Sequence, residues 1–93
     1  MRVLQKPSFK KAYKRLHANQ KADLDKAVRA IMKDPDSGQA KTGELSDVLV
    51  YKFKMNKQLT LLAYTYEDQS ITLTLLALGT HENFYRDLKK SSS

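Results

Sequence analysis

The sequence predicts a single α+β domain with the element order β-α-α-β-β-β-α. An N-terminal strand and a helical hairpin pack on an antiparallel sheet, and a short C-terminal helix follows. Three observations carry that reading. Two consecutive stretches before residue 34 place apolar residues at i, i+3, i+4 and i+7, the spacing of an amphipathic helix. Three strand-like runs follow, at about 46–55, 58–66 and 70–79, and the short turns between them join antiparallel neighbours. Ninety-three residues make one domain with a modest core, spanning 1–90, with Ser91–Ser93 a disordered tail.

Taken in order, Arg2 to Gln5 reads as a short first strand. Pro7 and Ser8 open the first helix, with Ser8 as its N-cap. Phe9, Ala12, Tyr13 and Leu16 form its apolar stripe, and lysines take the other face. Ala18-Asn19 breaks this helix, and Asn19 can cap the next. There Leu24, Ala27, Val28 and Ile31 repeat the spacing to about Lys33, and Pro35 stops it. Residues 34–43 are a polar loop. The last strand alternates Ile71, Leu73 and Leu75 against Thr72 and Thr74, and Gly79 ends it. His81 to about Lys90 reads as a short helix with Phe84 in the core.

Composition narrows the chemistry. There is no cysteine, which removes disulfides and thiolate–zinc sites, and two histidines are too few for a His-rich metal site. No apolar run is long enough to span a bilayer, so the expected location is the cytoplasm. The net charge of +7 is unevenly spread. Residues 1–34 hold ten of the 17 basic residues and three of the 10 acidic ones, so the remainder of the chain balances at seven against seven. A basic region suits a phosphate-rich or acidic partner, and it equally suits a solvated helical surface.

Two groups of side chains carry possible chemistry. Alternation along 46–55 puts Leu49, Tyr51, Phe53 and Met55 on one face and Val48, Val50, Lys52 and Lys54 on the other. Lys52 and Lys54 then stand roughly 7 Å apart, pointing the same way. Close ammonium groups repel, and a lysine in such a pair can act as a base or hold a phosphate. A solvated outer sheet face would also accommodate two lysines. The second group runs from Gly79 through Thr80, His81, Glu82, Asn83, Phe84 and Tyr85 to Arg86. Imidazole, phenol and guanidinium crowd the end of an apolar strand, where His81 can move a proton, Tyr85 can stack on a base and Arg86 can hold a phosphate. A capped terminal helix is the other reading of the same residues. His17, among lysines, reads as structural or merely exposed, and Glu67-Asp68 as turn residues. There is no Gly-rich phosphate loop and no Ser/His/Asp arrangement.

Over about residues 2–89 these pieces resemble the RelE/ParE superfamily of bacterial toxins, and in particular its RelE-like mRNA interferase branch. The most telling stretches are Tyr51-Lys52-Phe53-Lys54-Met55, the apolar strand ending in Tyr64, and Leu78-Gly79-Thr80-His81-Glu82-Asn83-Phe84-Tyr85. In RelE-like toxins a Tyr-Lys-x-Lys strand supplies two active-site lysines, which Lys52 and Lys54 match. A basic residue soon after the last strand's Gly is a further active-site group, and His81 takes that place, as a histidine does in the YafQ-like and YoeB-like branches. Tyr85 fits the aromatic residue that stacks on an RNA base. RelE-like enzymes also carry an arginine on the third strand, just before its Leu-x-Tyr. Here the stretch is Leu61-Leu62-Ala63-Tyr64, and Arg86 or Lys57 are the cations that can compensate.

The resemblance implies a toxin of a type II toxin–antitoxin system that cleaves mRNA, usually in the ribosomal A site, without metal or cofactor. In that role Lys54, or Lys52, is the base and the other lysine stabilises phosphate charge. His81 is the acid, and Lys10, Lys11 and Lys14 on the first helix rest on ribosomal RNA. The implied partners are a cognate antitoxin, mRNA and the ribosome, with operator DNA reached only through the antitoxin. Two other readings share the fold: a ParE-like inhibitor of DNA gyrase, and a weakly active or non-catalytic homologue that binds and autoregulates its operon.

Overall fold

A computed structural model describes residues 1–40, 47–80 and 84. Its elements are β1 (Arg2–Gln5), α1 (Pro7–Lys14), α2 (Ala18–Lys33), a 3-10 turn (Pro35–Ser37), β2 (Gln39–Ala40), β3 (Leu49–Met55), β4 (Gln58–Glu67) and β5 (Thr72–Gly79). The expected C-terminal helix and Ser91–Ser93 tail fall outside the described residues, Phe84 excepted.

The helices start earlier than their capping signals suggest. Pro7 is the first helical residue, its fixed φ suiting that position, and Lys6 rather than Ser8 is the N-cap. Ser8 instead donates its hydroxyl to the carbonyl of Leu76, at 2.7 Å. α1 tightens at its end, where the N–H groups of Arg15 and Leu16 reach Ala12 and Tyr13 carbonyls three residues back. His17, not Asn19, is the N-cap of α2, and its backbone N–H donates to Gln20 Oε1 at 2.8 Å. Asp34, extended ahead of Pro35, ends α2 where the sequence places the stop.

The sheet has the order β1-β5-β4-β3-β2. β3, β4 and β5 pair antiparallel as expected and β2 adds a further antiparallel strand, but β1 joins β5 in parallel, from Arg2 opposite Thr72 to Gln5 opposite Leu75, so the sheet is mixed. By composition β2 belongs to the polar loop 34–43. Its two residues pair with Leu49 and Val50, too short a run to leave a periodic signal. Ile71 does not continue the apolar side of β5. It sits in the preceding turn at φ 49°, half exposed, an uncommon backbone region for a β-branched residue.

Both helices cover one face of this sheet. Phe9, Leu24 and Ile31 meet Leu62, Tyr64, Leu73 and Leu75 there, all buried. The opposite face carries a second, smaller cluster: Val48, Val50, Leu61, Ala63, Leu76, Ala77 and Phe84. A β-bulge interrupts the alternation of β5: Ala63 pairs with Ala77 but Tyr64 pairs with Leu75, which leaves Leu76 as the extra residue and puts both Leu76 and Ala77 in the second cluster.

Tyr64 is fully buried and ties the first covered face to the β2 edge. Its hydroxyl donates to the Pro35 carbonyl at 2.7 Å and accepts the Gly38 N–H at 2.9 Å. Burial raises its pKa above the ordinary tyrosine value, against the opposing effect of the Gly38 N–H. Gly38 is required by proximity, since a Cβ there would lie 2.6 Å from the phenolic oxygen.

Candidate active site on the open sheet face

β3 alternates as its sequence predicts. Leu49, Tyr51, Phe53 and Met55 pack with the helix-side core, and the rings of Tyr51 and Phe53 stack at 6.2 Å between centroids. This apolar underside fixes the direction of the residues between. Lys52 and Lys54 are both exposed and project from the other face, the one that holds the second cluster.

Their neighbours across the ladder are apolar. Lys52 stands opposite Leu61 and Lys54 opposite Leu59. Leu61 is 1% exposed within the second cluster, whereas Leu59 is 47% exposed. Leu61 therefore occupies, as a buried leucine, the strand position just before Leu62-Ala63-Tyr64. Beyond Lys54 the chain turns through Asn56 and Lys57, at φ 51° and 69°, so both central residues are left-handed as a type I′ hairpin demands. Lys57 is exposed on that turn, and the turn is tied to α2, with the Asn56 N–H donating to Asp23 Oδ2 at 2.8 Å.

Phe84, from the second predicted group, packs on the lysine face. It is 1% exposed, packs in the second cluster with Leu61, and its N–H reaches the Thr80 carbonyl at 3.0 Å. The expectation that Phe84 is a core residue holds, and the core it joins is the one on the side of Lys52 and Lys54. His81, Tyr85 and Arg86 lie outside the described residues.

The remaining candidates are elsewhere. Lys10, Lys11 and Lys14 are exposed on α1, in the helix layer on the far side of the sheet from Lys52 and Lys54. That layer also holds a groove of about 400 Å³ between β1 and the two helices, lined in part by Val3, Phe9, Tyr13 and Val28. Among the described residues no cluster of His, Asp or Glu could hold a metal ion, and no helix is long and apolar enough to cross a membrane. The lysine face thus offers paired cations beside apolar surface, an arrangement that can bind a phosphate and its attached group.

Residues 3–89 match the family described as ParE-like toxin of type II bacterial toxin–antitoxin system. No curated protein matches the chain. Among solved structures, the fold is similar to that in the intact E. coli RelBE toxin–antitoxin complex, with a TM-score of 0.69 and 18% identity over 87% of this chain and 96% of that one. A double mutant of E. coli RelE in the free state gives a TM-score of 0.72 at 16% identity, covering 98% of this chain and 92% of that one. A YoeB/ParE toxin from Agrobacterium tumefaciens gives 0.70 at 14% identity, covering 87% and 99%.

Proposed function

Because the chain belongs to the ParE-like toxins of type II bacterial toxin–antitoxin systems, we propose that it is the RelE-like kind, an endoribonuclease that cleaves mRNA in the ribosomal A site. The observation that carries this reading is the placement of Lys52 and Lys54, exposed together on the sheet face where Phe84 is anchored. Phe84 lies in the chain between His81 and Tyr85, the two other residues the chemistry needs.

The reaction is attack of a ribose 2′-OH on the adjacent phosphorus. The new O–P bond forms as the bond to the 5′-oxygen breaks, leaving a cyclic phosphate and a free 5′-OH. Lys54 takes the 2′-OH proton as base. Lys52 stabilises the added charge on the phosphate, and His81 gives a proton to the departing 5′-oxygen. Tyr85 stacks on a base of the RNA, while Arg86 and Lys57 supply further positive charge. Lys10, Lys11 and Lys14, on the far side of the sheet, meet ribosomal RNA rather than the scissile phosphate. The partner that restrains this activity is a cognate antitoxin, as RelE is held in the RelBE complex.

A second reading rests on Leu61. A buried leucine opposite Lys52 leaves that strand position without the cation of RelE-like enzymes, which favours a toxin that acts by binding, as a gyrase inhibitor or an operon regulator. Single alanine substitutions at Lys54, His81 and Tyr85, scored for growth arrest and for cleavage of mRNA after induction, separate the two. The ribonuclease reading expects each to lose cleavage and toxicity. Full toxicity in all three, or toxicity accompanied by gyrase-linked DNA damage and intact message, overturns it.

A further inference from the structure

Leu59 has a different environment from the residues that follow it on β4. Thr60, Leu61 and Leu62 are each at most 2% exposed, but Leu59 is 47% exposed. It does not belong to the second cluster under Phe84. Directly opposite residues of an antiparallel pair share a face, with Cβ atoms about 5 Å apart. Leu59 is the partner of Lys54, so its side chain stands on the lysine face beside that ammonium. The turn residue Lys57 is two positions back. Leu59 thus stands beside Lys54 on the face that Lys52 shares.

We infer that Leu59 is a binding residue of the RNA site, an apolar seat for the face of the nucleotide base whose phosphate engages Lys54. The inference rests on the ribonuclease reading of this face. A nucleotide couples an anionic phosphate to a flat, weakly hydrated base. A surface complementary to it needs positive charge and apolar area within one residue of each other, which the Lys54–Leu59 pair supplies. Leucine fills such a role where bases leave their stack, since it covers the base face without demanding a particular hydrogen-bond pattern. Leu59 touches no reacting atom, so its contribution falls on binding.

The test is single-turnover cleavage of mRNA on programmed ribosomes, followed against toxin concentration, for wild type, Leu59→Thr and Leu59→Phe. Threonine keeps strand propensity and removes the apolar seat. Leu59→Thr is expected to raise the half-saturating concentration about three- to ten-fold, with the saturating rate within about two-fold, the scale of one lost apolar contact. Leu59→Phe, with a larger flat surface, is expected to lower it. Unchanged thermal midpoints are expected for both, since the residue is half exposed. A half-saturating concentration unaffected by Leu59→Thr, or a loss confined to the saturating rate, overturns the inference while leaving the ribonuclease reading intact. A wild-type protein that cleaves no message sinks both together.

Discussion

The hydroxyl of Ser8, in the first turn of α1, donates to the carbonyl of Leu76, the extra residue of the β5 bulge. The backbone N–H of Lys6 takes the neighbouring Leu75 carbonyl at 2.9 Å. A bulge leaves a residue without its ladder partner, and here the start of a helix supplies one. Ser8→Ala takes this partner from the Leu76 carbonyl in a partly buried setting and is expected to destabilise by about 1 kcal/mol. Urea denaturation measures it, and a midpoint equal to wild type would show that water replaces the bond.

Tyr64 and Gly38 form a second fixed pair. Gly38→Ala drives a methyl group against the phenol, and Tyr64→Phe removes two hydrogen bonds. Each is expected to cost about 1–3 kcal/mol. The double substitution should cost less than the sum, since deleting the hydroxyl relieves the closest contact. Strict additivity in a double-mutant cycle would refute the coupling.

The same tyrosine has a pH signature. Its pKa is raised in the folded protein by burial, so the folded state keeps the proton longer than the unfolded chain does. Its contribution is therefore full below the unfolded value, near 10, and is lost as pH rises through the folded one. Stability curves of wild type and Tyr64→Phe should converge above about pH 10. Parallel curves across that range would count against the burial of the phenol.

Arginine exchanges separate the roles of the paired lysines. Arginine keeps the charge but stays protonated, so it can clamp a phosphate and cannot accept a proton. Lys54→Arg is expected to lose about 100-fold or more in cleavage rate, and Lys52→Arg about ten-fold or less. The reverse order would exchange base and clamp, and equal retention would remove lysine as the base.

Lys57 holds a left-handed backbone at φ 69°, where glycine is at ease and other residues are strained. Lys57→Gly is expected to stabilise by about 0.5–1 kcal/mol while lowering cleavage through the lost charge. Loss of stability would mean that the lysine side chain makes up for its backbone strain.

Much of this architecture was legible in the sequence because it is periodic. The helix stripes from Phe9 to Leu16 and from Leu24 to Ile31, and the alternation that turns Lys52 and Lys54 outward, depend only on local spacing. The features the sequence concealed depend on distant partners. Ser8 looks like a cap but bonds Leu76, a residue brought near only by the sheet. β2 is too short to be periodic, and Gly38 looks like one more turn glycine until Tyr64 is placed against it. Leu59 drew no notice because alternation assigns it a face but not its degree of burial. The sequence marks Phe84 as a core residue, yet only the structure shows that its core lies on the lysine side.

The parallel pairing of β1 with β5 sets an order of assembly. The β3–β4 hairpin is local, closed by a two-residue turn, and such hairpins form within about 1–10 μs. The lysine pair can therefore take up its geometry early. Arg2 to Gln5, synthesised ahead of the other described strands, have no strand to join until residues 72–75 exist. Closure over so long a stretch of chain is the slow kind of step in folding. β1 is thus held without its sheet partner until every other described strand has been made.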